Sequence, residues 1–312
     1  MSIEIGEKLY SVGAWAFSRH NSKVAVAGFI IAGACAGCGL PGSTSTTSTG
    51  SGAAADGTVT LSYAASLVGA MTNVIAPAFV KSSGYRISGY PGGSVALANQ
   101  IKEKLRQADL FLSAVPSVNN SLSGAANGNY VSWYSDLASS PLVIGYNPNS
   151  RFASQLNSGD WYRVMQEPGF LLGRTDPKLD PKGVLTDTLV RDEGAKVGDP
   201  ALFKQILGSV ENTSQIFPEE TLVGRLESGQ LDAGFFYENE AKLAKIPFIQ
   251  TGIPLGAAFT ISILNNAKNV GGAVSFVNFL YSSHGQQLLN SVGLIPEKPT
   301  VHGFGVPAGV KF

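Results

Sequence analysis

The chain has 312 residues, enough for about two domains at roughly 150 residues each. Its 22 basic and 22 acidic side chains cancel and charged residues make up only 14%, which excludes the basic face that a nucleic-acid binder needs. The only cysteines, Cys35 and Cys38, lie near the N-terminus, so the remaining chain has no disulfide, no Cys-based metal site and no thiol nucleophile. In chain order, Arg19, His20 and Lys23 precede a short apolar run beginning at Val24. A positive segment, an apolar run and small residues before a cleavage point mark residues 1–38 as an export signal. The run is too short for a comfortable membrane-spanning helix of ~20 apolar residues. Residues 39–57 are almost entirely Gly, Ser, Thr and Ala, which reads as a flexible tether.

Strand-like Thr58–Tyr63 then leads through Ala64 and Ala65 to a helix that starts near Ser66. Pro77 opens a second short helix, and Gly84 ends it. Ile87–Tyr90 is a strand. The turn Gly92-Gly93-Ser94 follows, with a helix over Val95–Arg106 that places Leu97, Ile101 and Leu105 on one stripe. Ala108–Ala114 is a buried strand. Further strands are expected at Pro141–Tyr146, Phe170–Arg174, Leu231–Tyr237 and Phe259–Ile263. Helices are expected at Trp161–Met165, Val184–Arg191, Glu220–Ser228, Glu238–Lys245 and Gly272–Tyr281, with a closing stretch at Gly285–Ser291. The repeated strand–helix order predicts an α/β fold with a mostly parallel sheet.

Two of these segments share a plan: a strand, a turn of tiny residues holding a serine, then a helix. Such a helix start presents free N–H groups and partial positive charge to an anion. Ser66 and Ser94 are therefore candidate ligands, with Gly93 allowing close approach. Each serine reads equally as a simple helix cap. Asp180-Pro181 is an N-cap with proline at the first helical position, and it also begins the Asp-Pro-Lys-Gly loop ending at Gly183. The backbone N–H groups of Lys182 and Gly183 are candidate donors there. Tyr237 is either a core aromatic or a ligand contact. Arg174 and Lys178 are solvated loop charges or steer an anion. An enzyme is not expected: no base accompanies a serine, His284 and His302 stand isolated, and no catalytic or resident metal cluster has the required spacing.

Together these motifs resemble the solute-binding proteins of ABC importers, and within them the molybdate/tungstate-binding proteins. The carriers are Ala65-Ser66-Leu67, Gly92-Gly93-Ser94, Ala108–Ala114, Gly173–Gly183, Glu227–Tyr237 and the run from Asn269 to Gly293. The resemblance implies a periplasmic-binding-protein-like fold of two α/β lobes joined by a hinge, with the ligand between them. Residues 58–140 and 256–312 would form one lobe and 141–255 the other. It implies a tetrahedral oxyanion held by Ser66, Gly93, Ser94, Asp180, Lys182, Gly183 and Tyr237. No cofactor is expected, and the partners are an ABC permease with its ATPase. Ala36-Gly37-Cys38-Gly39 resembles a lipobox with Cys38 as the lipidated residue, although Cys35 stands where Leu is usual and is itself a second candidate. That implies a lipid-anchored, extracytoplasmic monomer. The archaeal type adds an Asp and a Glu to the metal; Asp180 fills the first place, and Phe236 stands in the second. The expectation is therefore an oxyanion held by neutral donors with at most one carboxylate. Sulfate, thiosulfate or another small anion is the alternative ligand, and a Ser66-dependent hydrolase the remaining alternative.

Overall fold

The computed structural model describes residues 57–158 and 160–312. The signal segment, both cysteines and all of the tether before Gly57 lie outside them. The sheet starts from β1 (Thr58–Ala64), which pairs in parallel with β2 (Arg86–Gly92) on one side and β3 (Leu110–Ser113) on the other. β4 (Trp133–Tyr146) is the long central strand. Short β5 (Leu172–Gly173) pairs in parallel with β6 (Ala233–Tyr237). β6 and β7 (Phe248–Gln250) both run antiparallel to the C-terminal end of β4. β8 (Gly256–Ile263) lies antiparallel between β3 and the first part of β4.

The strand–helix rhythm thus predicts the flanks correctly and the centre wrongly. Among the strands of the described residues, parallel pairing is confined to β1–β2, β1–β3 and β5–β6, whereas β3–β8–β4–β6 is antiparallel. The cause is β8: it arrives from far along the chain, inserts between β3 and β4, and needs no crossover helix. β4 also begins well before the expected Pro141. It changes partners along its length: Ser135–Pro141 pairs with β8, and Leu142–Tyr146 pairs with β6 and β7. The chain returns at Leu255, whose carbonyl accepts from the Leu142 N–H at 2.8 Å. β4 is therefore the strand common to two groups of strands.

After β1 a 3-10 turn, Ala65–Leu67, continues through a π-helical stretch, Met71–Ile75, into α1 (Ala76–Ser83). Pro77 does not open a separate helix. It lacks an N–H, and the wider hydrogen-bond ring of the π stretch just before it absorbs that gap. α2 (Ser94–Lys102) buries Leu97 and Ile101, but it ends before Leu105, which is 71% exposed because Lys104 turns out of the helix at φ 57°. The remaining helices that matter here are α3 (Pro181–Val197), α4 (Glu219–Glu227), α5 (Glu238–Leu243) and α6 (Val270–Tyr281). Three apolar clusters hold them. One joins Val59, Leu61, Phe79, Phe276 and Val277 under α6, and continues to Leu142, Phe235 and Tyr237. Another seats α2 through Leu97, Ile101 and Phe111. The third packs Leu222 and Leu226 of α4 onto Phe236 and Val143.

Candidate functional site

β6 ends in two aromatic residues that face opposite ways, as alternate strand residues must. Phe236 is wholly buried among the apolar residues under α4. A Cβ on Gly145 would lie 2.8 Å from its ring, and one on Gly234 would lie 2.9 Å away, so these glycines make room for it. Tyr237 faces the other side, is also wholly buried, and its hydroxyl has no partner. Phe236 therefore supplies no polar group, but by seating α4 it fixes the position of Glu219 at that helix's first turn.

Glu219 is 5% exposed. Its Oε1 lies 3.0 Å from Lys182 Nζ, while its Oε2 is buried without a partner. Lys182 Nζ also lies 2.9 Å and 2.7 Å from the two oxygens of Glu240. Glu240 in turn accepts from the Tyr237 N–H at 2.8 Å. Asp180 caps α3: its Oδ1 accepts from the Lys182 N–H at 2.8 Å and from the Thr175 hydroxyl at 3.1 Å. The Glu219 carboxyl is also a close electrostatic neighbour of the Asp180 carboxyl. Three carboxyls and one lysine are thus buried together.

The charges respond as burial and neighbours dictate. Burial, then the Glu219 charge, push Asp180 well above the usual carboxylate range, against the pull of Lys182. Burial raises Glu240 as well, opposed by Lys182. Burial alone would strip the lysine of its proton, but Glu219, Glu240 and Asp180 together hold it on. Tyr237 is raised by burial and by the same three carboxyls. A carboxyl whose pKa is raised in the folded state stabilises the fold only while protonated. That contribution is complete below the ordinary carboxylate range and is lost as pH rises through the raised values. The melting temperature of ligand-free protein should therefore fall as pH climbs from about 4 to neutrality, and less steeply in Asp180→Asn; equal slopes for the two proteins in calorimetry would refute a buried proton at Asp180.

The predicted residues converge unevenly. Ser66 sits in the 3-10 turn, 3% exposed, makes no capping bond, and its Oγ is buried without a partner. The simple-cap reading of Ser66 therefore fails. Ser94 opens α2, but its Oγ already accepts from the Ala114 N–H at 3.1 Å. Gly93 lies against the start of α3: a Cβ there would stand 2.5 Å from the Leu179 carbonyl and 3.1 Å from Asp180 Oδ2. Next to it, the Ala96 N–H donates to the same Leu179 carbonyl at 3.1 Å.

The two backbone donors expected at the Asp-Pro-Lys-Gly loop are not free. The Lys182 N–H serves the Asp180 side chain, and the Gly183 N–H donates to the Asp180 carbonyl at 3.1 Å. Gly183 serves instead the tight approach of the preceding loop, since a Cβ would meet Pro177 N at 2.6 Å. Arg174 is wholly buried and donates to the carbonyls of Ser209 at 2.7 Å and Val210 at 3.0 Å, so it clamps the loop and does not steer ligands. Lys178 is paired with Glu211 at the surface.

Three participants were not singled out from the sequence. Glu240 reads there as an ordinary helix residue, and Glu219 falls just before the helix expected at Glu220–Ser228; the observed helix begins at Glu219 itself. Asn239, wholly buried, donates through Nδ2 to the Ser66 carbonyl at 2.9 Å and fixes the serine turn against α5. A cavity of about 310 Å³ opens beside Ser66, Glu219 and Glu240, and another of about 430 Å³ beside Gly93, Thr175 and Asp180. They share Glu219 and Glu220 as their common wall. No histidine lines either one.

Known proteins share this architecture. A solved sulfate-binding protein of Mycobacterium tuberculosis superposes with a TM-score of 0.60 at 16% identity, covering 77% of this chain and 87% of that one. The periplasmic molybdate-binding protein of Azotobacter vinelandii gives 0.59 at 16% identity, covering 77% of this chain and all of that one (100%). In sequence, the molybdate/tungstate-binding protein WtpA of Pyrococcus abyssi is 24% identical over 249 residues, 63% of this chain and 70% of its own length. These likenesses fit a fold of the periplasmic-binding-protein kind. The family model described as bacterial extracellular solute-binding protein matches residues 59–295. The chain belongs to that family, one of solute-binding proteins and not of enzymes.

Proposed function

We propose that this protein captures molybdate or tungstate outside the cytoplasm and delivers it to the permease of an ABC importer. The observation that carries the reading is that three of the six unpartnered buried side-chain polar atoms among the described residues belong to candidate site residues: Ser66 Oγ, Tyr237 OH and Glu219 Oε2. Leaving such atoms unsatisfied costs about 1–3 kcal/mol each, and a bound ligand with both donor-accepting and electrophilic character removes that cost. The hydroxyls donate to the oxyanion's oxygens. The name of the Pyrococcus relative supports the ligand class.

The second carboxylate alters the expectation of purely neutral donors. Phe236 leaves its own position apolar, but Glu219 brings a carboxylate to Asp180 from a different element. The Glu219 carboxylate beside Asp180 repels sulfate, whose sulfur accepts no further ligand; a molybdenum or tungsten centre can accept carboxyl oxygens. The two lobes are taken as residues 58–140 with 256–312 and residues 141–255, joined along β4 where its partners change, and the ligand closes them. Ser66, Gly93 and Ser94 then belong to one lobe, and Asp180, Glu219 and Tyr237 to the other. Lipidation at Cys38 would hold the protein at the membrane.

Titration calorimetry with molybdate, tungstate, sulfate and phosphate side by side tests this. Molybdate and tungstate are expected to bind far more tightly than the others. Ser66→Ala should weaken molybdate binding about tenfold or more, because a hydrogen bond to a charged partner contributes roughly 1.5–3 kcal/mol. Equal affinity for all four anions, or an unaffected Ser66→Ala variant, would refute the assignment.

A further inference from the structure

We propose that the side chain of Lys182 is a positioning residue of this site, holding Glu219 and Tyr237 in place for the ligand. The inference rests on the oxyanion reading above and extends it to a group that does not itself reach the ligand. Lys182 is wholly buried, and its Nζ contacts are Glu219 Oε1 at 3.0 Å and the two Glu240 oxygens at 2.9 Å and 2.7 Å. An ammonium has three donors, so these contacts use them all. Glu240 passes the constraint on, because its Oε2 also holds the Tyr237 N–H at 2.8 Å. The ammonium lies 5.1 Å from the centre of the Tyr237 ring, beneath the face whose hydroxyl has no partner. One cation therefore ties together the first turns of α3, α4 and α5. Two of the site's unpartnered atoms, Glu219 Oε2 and Tyr237 OH, hang from this network.

Charge makes the tie necessary. Asp180, Glu219 and Glu240 are buried within one cluster, and Lys182 is the cation that faces them. Without it, Glu219 loses the contact at 3.0 Å that anchors its Oε1 and faces two other carboxyls, Asp180 and Glu240, so its carboxyl is no longer held in the site. A buried ion pair that is merely structural would be replaceable by an uncharged pair of similar volume. A positioning lysine would not be, because Glu219 would still lose its anchor.

The test uses melting curves and molybdate calorimetry on wild type, Glu219→Gln, Lys182→Met, the charge-balanced Lys182→Met/Glu240→Gln, and the last of these with Glu219→Gln added. Lys182→Met is expected to melt at lower temperature and to bind weakly. The charge-balanced variant should recover most of the melting temperature yet still bind at least about tenfold more weakly than wild type. Adding Glu219→Gln to it should then change affinity little, although Glu219→Gln alone costs wild type about tenfold, because Lys182 and Glu219 act as one unit. Wild-type affinity in the charge-balanced variant, or the same Glu219→Gln loss in both backgrounds, overturns the proposal while leaving the oxyanion reading intact. If wild type itself binds neither molybdate nor tungstate, the oxyanion reading falls and this proposal with it.

Discussion

Replacing Gly93 with alanine is expected to leave the protein folded and to weaken oxyanion binding on the order of 10- to 100-fold. The glycine has φ −58°, which alanine adopts without strain, so the backbone of α2 and the turn before it should form normally. The difficulty lies across the cleft. The added methyl would stand 2.5 Å from the Leu179 carbonyl and 3.2 Å from Asp180 Cβ, and the first of these is backbone that cannot swing aside. Either α2 or the start of α3 must withdraw. That withdrawal breaks the Ala96 N–H bond to Leu179 and moves Gly93 away from Asp180. Overpacking of this kind costs about 1–3 kcal/mol, and it bears on the approach of the two sides more than on either side alone. Small-angle scattering should show the variant staying extended in molybdate concentrations that compact the wild type. A variant that binds and compacts like wild type would mean that the two sides do not close on the ligand at Gly93.

How far the chain announces this site depends on whether a residue acts through its neighbours in sequence or through distant ones. Ser66, Gly93, Ser94 and Asp180 lie in strand–turn–helix segments whose tiny residues and proline are visible locally, and each falls at the expected turn. Glu219 was hidden because its signal is only an acid after Pro218 at a helix start, which normally means dipole compensation. Its role appears when Leu222 and Leu226 pack on Phe236 and swing the helix start toward Asp180. Lys182 misled in the opposite way. Its backbone was legible as a helix-start donor, but Asp180 claims that N–H, and the side chain's burial depends on Glu219 and Glu240, which are remote in sequence.

The sheet repeats the lesson. The first half of β4 alternates buried Trp133, Ser135 and Leu137 with more exposed residues, yet its serines masked a strand that the period still carried. Its pairing with β8, more than a hundred residues later, could not be read from a local rhythm.

Neutralising both facing carboxyls should redirect the site from metal oxyanions toward sulfate. In Asp180→Asn/Glu219→Gln the fold is expected to hold. Asparagine caps a helix as well as aspartate does, so α3 keeps its start. Glutamine keeps an oxygen for Lys182, and Glu240 remains as the lysine's ionic partner. What changes is the field at the ligand. In wild type, a sulfate beside the Glu219 carboxylate meets oxygen against oxygen with like charge, a juxtaposition that costs several kcal/mol. Molybdate escapes part of that penalty because its metal accepts the same oxygens as ligands. The amides remove the repulsion for sulfate and the coordinating groups for molybdate, so the two affinities move in opposite directions. The ratio of molybdate to sulfate affinity, measured by competition calorimetry at one fixed pH, should fall about 100-fold, roughly tenfold from each side. An unchanged ratio would mean that neither carboxyl touches the anion. A loss of affinity shared equally by both anions would assign the pair to shaping the cleft, and the hydroxyls of Ser66 and Tyr237 alone would then carry selectivity, by size.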